Sequence, residues 1–175
     1  GTVPTTEADG FRLDLTSLGL SALASTDVVF LCNPNNPTGV VTPKADVLAL
    51  ASRCRASGAL LVVDESFVEL LEYPDAVSVV AEAARLDHPI VALRSLTKFF
   101  AILGYAVASP SLIEDLRALQ NPWPLNTFAL AVGAQLFRET AYAAHSRRMI
   151  AQLRDELQQA LRTIPGLQPF PSATN

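Results

Sequence analysis

The chain has 175 residues, 50% of them apolar and 17% charged. That is long enough for one domain with a real core, and too apolar for a disordered chain. A net charge of -4 and a pI near 5.1 argue against a nucleic-acid surface, and no apolar run reaches the roughly 18 residues of a membrane span. Cys32 and Cys54 fall in a strand-like and a helix-like run. They form no metal-ligand spacing and no disulfide framework, which fits a reducing cytoplasm. The chain starts Gly1-Thr2-Val3-Pro4, without Met and without a charged segment before an apolar one. It is therefore expected to be processed, tagged or cut from something longer.

Residues 1–10 read as an edge or linker segment. Phe11–Leu15 alternates as a short strand would, and Thr16 or Ser17 would cap a short helix through about Ala24. Asp27–Cys32 is a continuous apolar run, as for a buried parallel strand, and the Asn/Pro/Gly-rich loop 33–39 follows it. Thr42-Pro43 opens a helix that Gly58 ends. Ala59–Val63 is a second buried strand ending at Asp64, and a helix is expected over much of Ser78–Arg85. Ile90–Arg94 is a third strand, ending at Ser95, and Gly104–Ala108 a fourth. Ser111 to about Gln120 reads as an amphipathic helix, broken by Asn121-Pro122-Trp123-Pro124. Asn126 or Thr127 caps a helix through about Phe137, and a long helix runs from about Thr140 to Arg162. Leu153, Leu157 and Leu161 fall on one face of it. Residues 167–175 read as extended. Apolar strands alternating with helices give an α/β class with a mostly parallel sheet flanked by helices.

In an open α/β sheet, ligands bind beyond the carboxyl ends of the strands. Here the strand ends lead into Asn33–Gly39, Asp64 and Ser95–Lys98, which predicts one site lined by an amide, a carboxylate, hydroxyls and a lysine. The stretch Leu93-Arg94-Ser95-Leu96-Thr97-Lys98-Phe99-Phe100 sets Lys98 among apolar residues. Burial would depress its pKa, and a neutral amine forms a Schiff base with an aldehyde. The hydroxyls of Ser95 and Thr97, at a helix start, would suit a phosphate. Aldehyde and phosphate on one small molecule suggest pyridoxal 5′-phosphate (PLP). On the octapeptide alone, the preferred reading of Lys98 is a surface lysine whose stem covers apolar neighbours; the stretches Asn33–Gly39 and Val62–Phe67 reverse that preference. Asp64 reads either as a cap or turn residue or as a carboxylate held against a pyridine nitrogen, keeping it protonated. Asn36 reads as a turn residue or as an amide donating to a phenolic oxygen. Glu65 is expected to be solvated or to support a neighbour, Trp123 to be a packing residue, and His88 and His145 to be structural or exposed.

Asn33-Pro34-Asn35-Asn36-Pro37-Thr38-Gly39, then Val63-Asp64-Glu65-Ser66-Phe67, then Ser95-Leu96-Thr97-Lys98-Phe99-Phe100-Ala101, in this order and spacing, resemble the fold-type I PLP enzymes of the class I/II aminotransferase superfamily. The resemblance is nearest to histidinol-phosphate aminotransferase and L-threonine-O-3-phosphate decarboxylase. It covers nearly the whole chain. It implies Lys98 as the lysine that binds the cofactor aldehyde, Asp64 as the partner of the pyridine nitrogen and Asn36 as the partner of the ring hydroxyl oxygen. It also implies Ser95 on the cofactor phosphate with Thr97 supporting it. Ser-Leu-Thr-Lys-Phe-Phe, Phe67 and Pro122-Trp123 with Asn126 resemble the decarboxylase more than the aminotransferase.

The resemblance further implies a homodimeric cytoplasmic enzyme acting on a small amino acid, possibly phosphorylated, with neither a nucleic acid nor a membrane as partner. Decarboxylation would place it in cobalamin biosynthesis. Residues 1–163 would be most of the PLP-binding large domain with its long connecting helix. Residues 164–175 would lead into a truncated C-terminal small domain. One departure stands out. Between Ile102 and Leu103 the family carries about four more residues of the form Pro-Gly-Leu-Arg, whose arginine clamps the phosphate. Residues missing from the given sequence are expected here, since a real deletion would have to reroute the start of a strand. The alternative is a non-catalytic remnant or binding module whose site no longer holds PLP.

Overall fold

The computed structural model describes residues 1–85, 89–122 and 124–174. Its frame is a four-stranded sheet in the order β1-β2-β3-β4: β1 Val28–Cys32, β2 Leu60–Asp64, β3 Ile90–Ser95 and β4 Gly104–Val107. The first three are parallel, with Val29 opposite Leu61 and Leu61 opposite Ile90. β4 returns antiparallel, with Ser95 opposite Gly104. The helices are α1 Leu20–Ala24, α2 Lys44–Ser57, α3 Val80–Ala83, α4 Thr97–Phe100, α5 Pro110–Ala118, α6 Thr127–Leu136 and α7 Thr140–Arg162. The α/β class and the mostly parallel sheet are as expected.

The continuous apolar runs reflect two covered faces. On one face Leu31, Leu61, Val63, Ile90 and Ala92 pack with Val47, Leu50, Ala51 and Cys54 of α2 and Leu23 of α1. The α2 residues recur at i, i+3, i+4 and i+7, one side of a helix. On the other face Val62 and Val91 pack with Ala108 and with Leu112 and Ile113 of α5. That second cover stops short of β1, where Phe30 is 75% exposed. Gly58 ends α2 in the left-handed region, φ 76°, a conformation a side chain disfavours.

Several local readings change. Phe11–Leu15 is not a strand. Gly10 and Phe11 both take positive φ, and Phe11 N donates to Thr6 O at 2.8 Å. Among the described residues no strand pairs with the segment; its alternation brings Leu13 and Leu15 onto the core and Phe11 onto Phe170. Asp14, not Thr16 or Ser17, caps the short 3-10 turn Leu15–Ser17. Its carboxyl accepts from the Thr16 hydroxyl and from Thr16 N, which hold it below the usual carboxylate range. The helix expected over Ser78–Arg85 is only Val80–Ala83. Pro43, not Thr42, takes the N-cap of α2. Asn126 caps α6 as expected, accepting from Ala129 N at 2.8 Å. Leu153 and Leu157 of α7 face solvent. His88 and Trp123 lie outside the described residues.

Between β3 and β4 the connection closes with the residues present. Ala101 takes φ 58° and ends α4, and Leu96 N donates to Leu103 O at 2.7 Å. Gly104 then enters the ladder opposite Ser95.

Candidate active site

Side chains alternate across a strand, so the packing partners fix which way each strand end points. Leu61, Val63, Ile90 and Ala92 belong to the α2 face, and Val62, Val91 and Leu93 to the α5 face. Asp64 and Ser95 therefore continue the α5 face, and Cys32, opposite Asp64 in the ladder, shares it. Glu65 and Arg94 continue the α2 face. This parity brings the acid and the hydroxyl to one rim of the sheet although 31 positions separate them in sequence.

Asp64 is half-buried. Its Oδ1 accepts from Ser66 N at 2.9 Å and from Ser66 Oγ at 2.5 Å, an Asx turn that fixes the carboxylate. Lys98 is exposed, against the expectation of a lysine enclosed by apolar groups. Its Nζ lies 6.0 Å from the centroid of the Phe67 ring, and Phe67 is three residues past Asp64. The two phenylalanines after Lys98 turn away from it: Phe99 is buried, and both rings meet Tyr142 of α7. Thr97 is exposed and Ser95 half-buried. Neither caps α4; Leu96 is its N-cap residue, and its N–H is given to Leu103 O.

Asn36 is exposed at the tip of its loop. Its backbone N–H reaches the Cys32 sulfur, whose thiol is pushed up by burial, the N–H opposing and the Asp64 charge adding to the rise. Asn36, Cys32 and Asp64 are thus consecutive neighbours along the rim. The loop is held shut by Asn33, which is 1% exposed. Its amide donates to Thr42 O at 2.9 Å and accepts from Thr42 N at 2.8 Å, which is why Thr42 does not cap α2. Asn33 N also donates to Asp64 O at 2.9 Å. Gly39 takes φ 65°, and a Cβ there would sit 1.8 Å from Ser172 Oγ; Ala173 N donates to Gly39 O at 3.1 Å. A groove of about 620 Å³ beside this turn is lined by Asp9, Arg12, Gly39, Phe170 and Ala173. Asp64, Ser95 and Lys98 do not line it.

Glu65 is not solvated. It is 1% exposed, and its carboxylate accepts from Val79 N at 2.6 Å, Ser78 Oγ at 2.8 Å and Arg94 Nη1 at 3.0 Å. These bonds pin Ser78 and Val79 and shorten the helix expected there. Arg94 also pairs with Glu69, which Arg147 of α7 holds in turn. Burial works against the Arg94 charge, but Tyr105, Glu69 and Glu65 together raise its pKa, so the guanidinium stays charged. Sequence reading missed Asn33, Ser66 and Arg94 as individuals. The signal for Arg94 was a charged residue at the end of an otherwise apolar strand, immediately before Ser95.

The chemistry of this donor set fits most of PLP: an exposed amine for the aldehyde, a fixed carboxylate for the ring nitrogen, an amide for the ring hydroxyl, and two hydroxyls for the phosphate. It lacks a guanidinium at the phosphate end, since residues 95–104 hold no arginine.

A family model described as "Aminotransferase class I and II" matches residues 2–175. The chain is 35% identical over 176 residues to the threonine-phosphate decarboxylase of Salmonella typhimurium, covering 97% of this chain and 47% of the relative. It is 36% identical over 176 residues to a histidinol-phosphate aminotransferase of Xanthomonas oryzae pv. oryzae, covering 95% of this chain and 47% of the relative. The solved histidinol-phosphate aminotransferase of Clostridium acetobutylicum shares the fold, with TM-score 0.83 and 24% identity over 95% of this chain and 51% of that one. The chain thus spans about half the length of the curated relatives it matches.

Proposed function

Because the chain belongs to the class I and II aminotransferase family, whose members depend on PLP, we propose that the whole protein is a PLP enzyme acting on a small amino acid. L-threonine-O-3-phosphate decarboxylation is the preferred reaction. Transamination of a histidinol-phosphate-type substrate is the alternative. The observation that carries the reading is the shared rim: Asp64, Ser95 and Cys32 continue one face of the sheet, with Asn36 and the exposed Lys98 amine at the same strand ends.

Bound there, PLP supplies an electron sink for a bond at the substrate Cα. Lys98 Nζ would anchor the cofactor through its aldehyde carbon and, once released by the substrate amine, would carry a proton. The Asp64 carboxylate, oriented by Ser66, would hold the proton on the pyridine nitrogen. The Asn36 amide would donate to the ring hydroxyl oxygen, and Ser95 and Thr97 would meet the phosphate. The leaning to decarboxylation rests on Phe67, which sits near Lys98 without a phenol to offer, and on the Ser-Leu-Thr-Lys-Phe-Phe run.

The whole protein is further read as a cytoplasmic homodimer. Residues 1–163 would be most of its large domain and residues 164–175 the lead-in to a small one. In support, no helix among the described residues is long and apolar enough to cross a membrane, and the Leu153–Leu157 row of α7 is left bare. A second reading, a binding module that no longer holds PLP, is favoured by the lack of an arginine in residues 95–104. One titration separates them. PLP added to the full-length protein is expected to give a visible absorbance band that Lys98→Ala abolishes; no band in the unaltered protein supports the second reading. Turnover of L-threonine phosphate against histidinol phosphate then selects the reaction.

A further inference from the structure

We infer that Glu65 and Arg94 are positioning residues for the rim, acting from the opposite face of the sheet; the inference rests on the roles proposed for Asp64 and Lys98. Each is the chain neighbour of a rim residue: Asp64-Glu65 and Arg94-Ser95. The backbone ladder reaches its last step here, with Glu65 N donating to Leu93 O at 2.8 Å. Strand ends fray when nothing holds them, and a slip of one residue would turn Asp64 or Ser95 to the other face.

The side chains hold this end. Glu65 joins β2 to Arg94 of β3 at 3.0 Å, and Arg94 Nη1 also donates to Ser78 Oγ at 3.0 Å. Glu69 anchors the far side of the guanidinium and ties it to Arg147. Both members are nearly buried, with side-chain exposures of 10% for Arg94 and 1% for Glu65. Buried ion pairs add little net stability over an apolar replacement, but they are directional. The pair therefore sets the spacing between the Asp64 carboxylate and the turn that carries Ser95 and Lys98, rather than serving chiefly as a source of stability.

The test uses the full-length protein. Glu65→Gln removes the charge facing Arg94 while keeping the side-chain shape. Its PLP affinity, read by absorbance titration, is expected to fall about tenfold or more, the scale on which supporting residues act at ligand sites, with far-UV circular dichroism unchanged. Since Glu65→Gln alone leaves a buried guanidinium short of a partner, the paired Glu65→Gln/Arg94→Gln variant, which removes both charges and keeps an amide oxygen for Val79 N, guards against misfolding. It is expected to fold and to lose affinity equally. Unchanged PLP affinity in both variants overturns the inference. Should the unaltered protein show no band, the cofactor reading fails first. Amide exchange in the cofactor-free protein at Asn33, bonded to Asp64 O, and at position 65 then decides the matter: faster exchange in the variants supports the clamp, and unchanged exchange refutes it.

Discussion

Gly39 shows how one residue couples two remote parts of the chain. Its φ of 65° costs nothing without a Cβ, and the missing Cβ leaves room for Ser172. A left-handed conformation alone costs a side chain about 1–2 kcal/mol, and here the new methyl would also collide with the 172–174 segment. Gly39→Ala is therefore expected to lower the unfolding free energy by at least about 1 kcal/mol and to release residues 171–174 first. Limited proteolysis near Pro171 checks this; unchanged protection would show that the segment does not depend on Gly39. The role of Lys98 belongs to the same scale. Its amine is exposed, so a small molecule can reach it from solvent.

At the scale of elements, strand positions were legible because an apolar run bounded by turn residues has few other uses. Ile90–Ser95 and Leu60–Asp64 follow that pattern closely. Short helices were not legible, because a single turn is set by whatever partner reaches it. Val80–Ala83 starts where the Glu65 carboxylate takes Val79 N, and Glu65 is remote in sequence. The 33–42 loop is closed by one amide, and that contact also escaped sequence reading. Asn33→Ala would leave the N–H and C=O of buried Thr42 without their partner. Each such loss costs about 1–3 kcal/mol, so the urea midpoint is expected to drop by the equivalent of about 2–3 kcal/mol. A drop of a few tenths would mean that water replaces the amide, and that the loop is held by other contacts.

Across the whole molecule, α7 is the long element that lies outside both core clusters. None of its residues is buried. Its ties among the described residues include the Arg147–Glu69 pair, the bond from Arg147 Nε to Glu69 O at 3.0 Å, the bond from Arg154 Nη1 to Ala173 O at 2.6 Å, Arg147 over the Phe99 ring, and Tyr142 against Phe99 and Phe100. Arg147→Ala is expected to speed amide exchange in α7 roughly tenfold, the equivalent of about 1.4 kcal/mol, while β1, β2 and β3 keep their protection. Equal acceleration in the sheet would show that α7 and the sheet open as one unit.

The sequence by itself determined the class of the fold, the positions of the four sheet strands though not the false one at Phe11–Leu15, the long helix and the three stretches that meet at the rim. Those depend on local composition and on the rule that strand ends in a parallel sheet share a side. Only the tertiary structure decided which face each residue took and what closed around it. That Glu65 is buried against Arg94, that Lys98 stands open beside Phe67, and that Asn33 rather than Asn36 holds the loop all depend on contacts between segments distant in the chain. Burial and pairing are properties of neighbours in space, and a one-dimensional pattern carries them only where the period of a strand or helix repeats them.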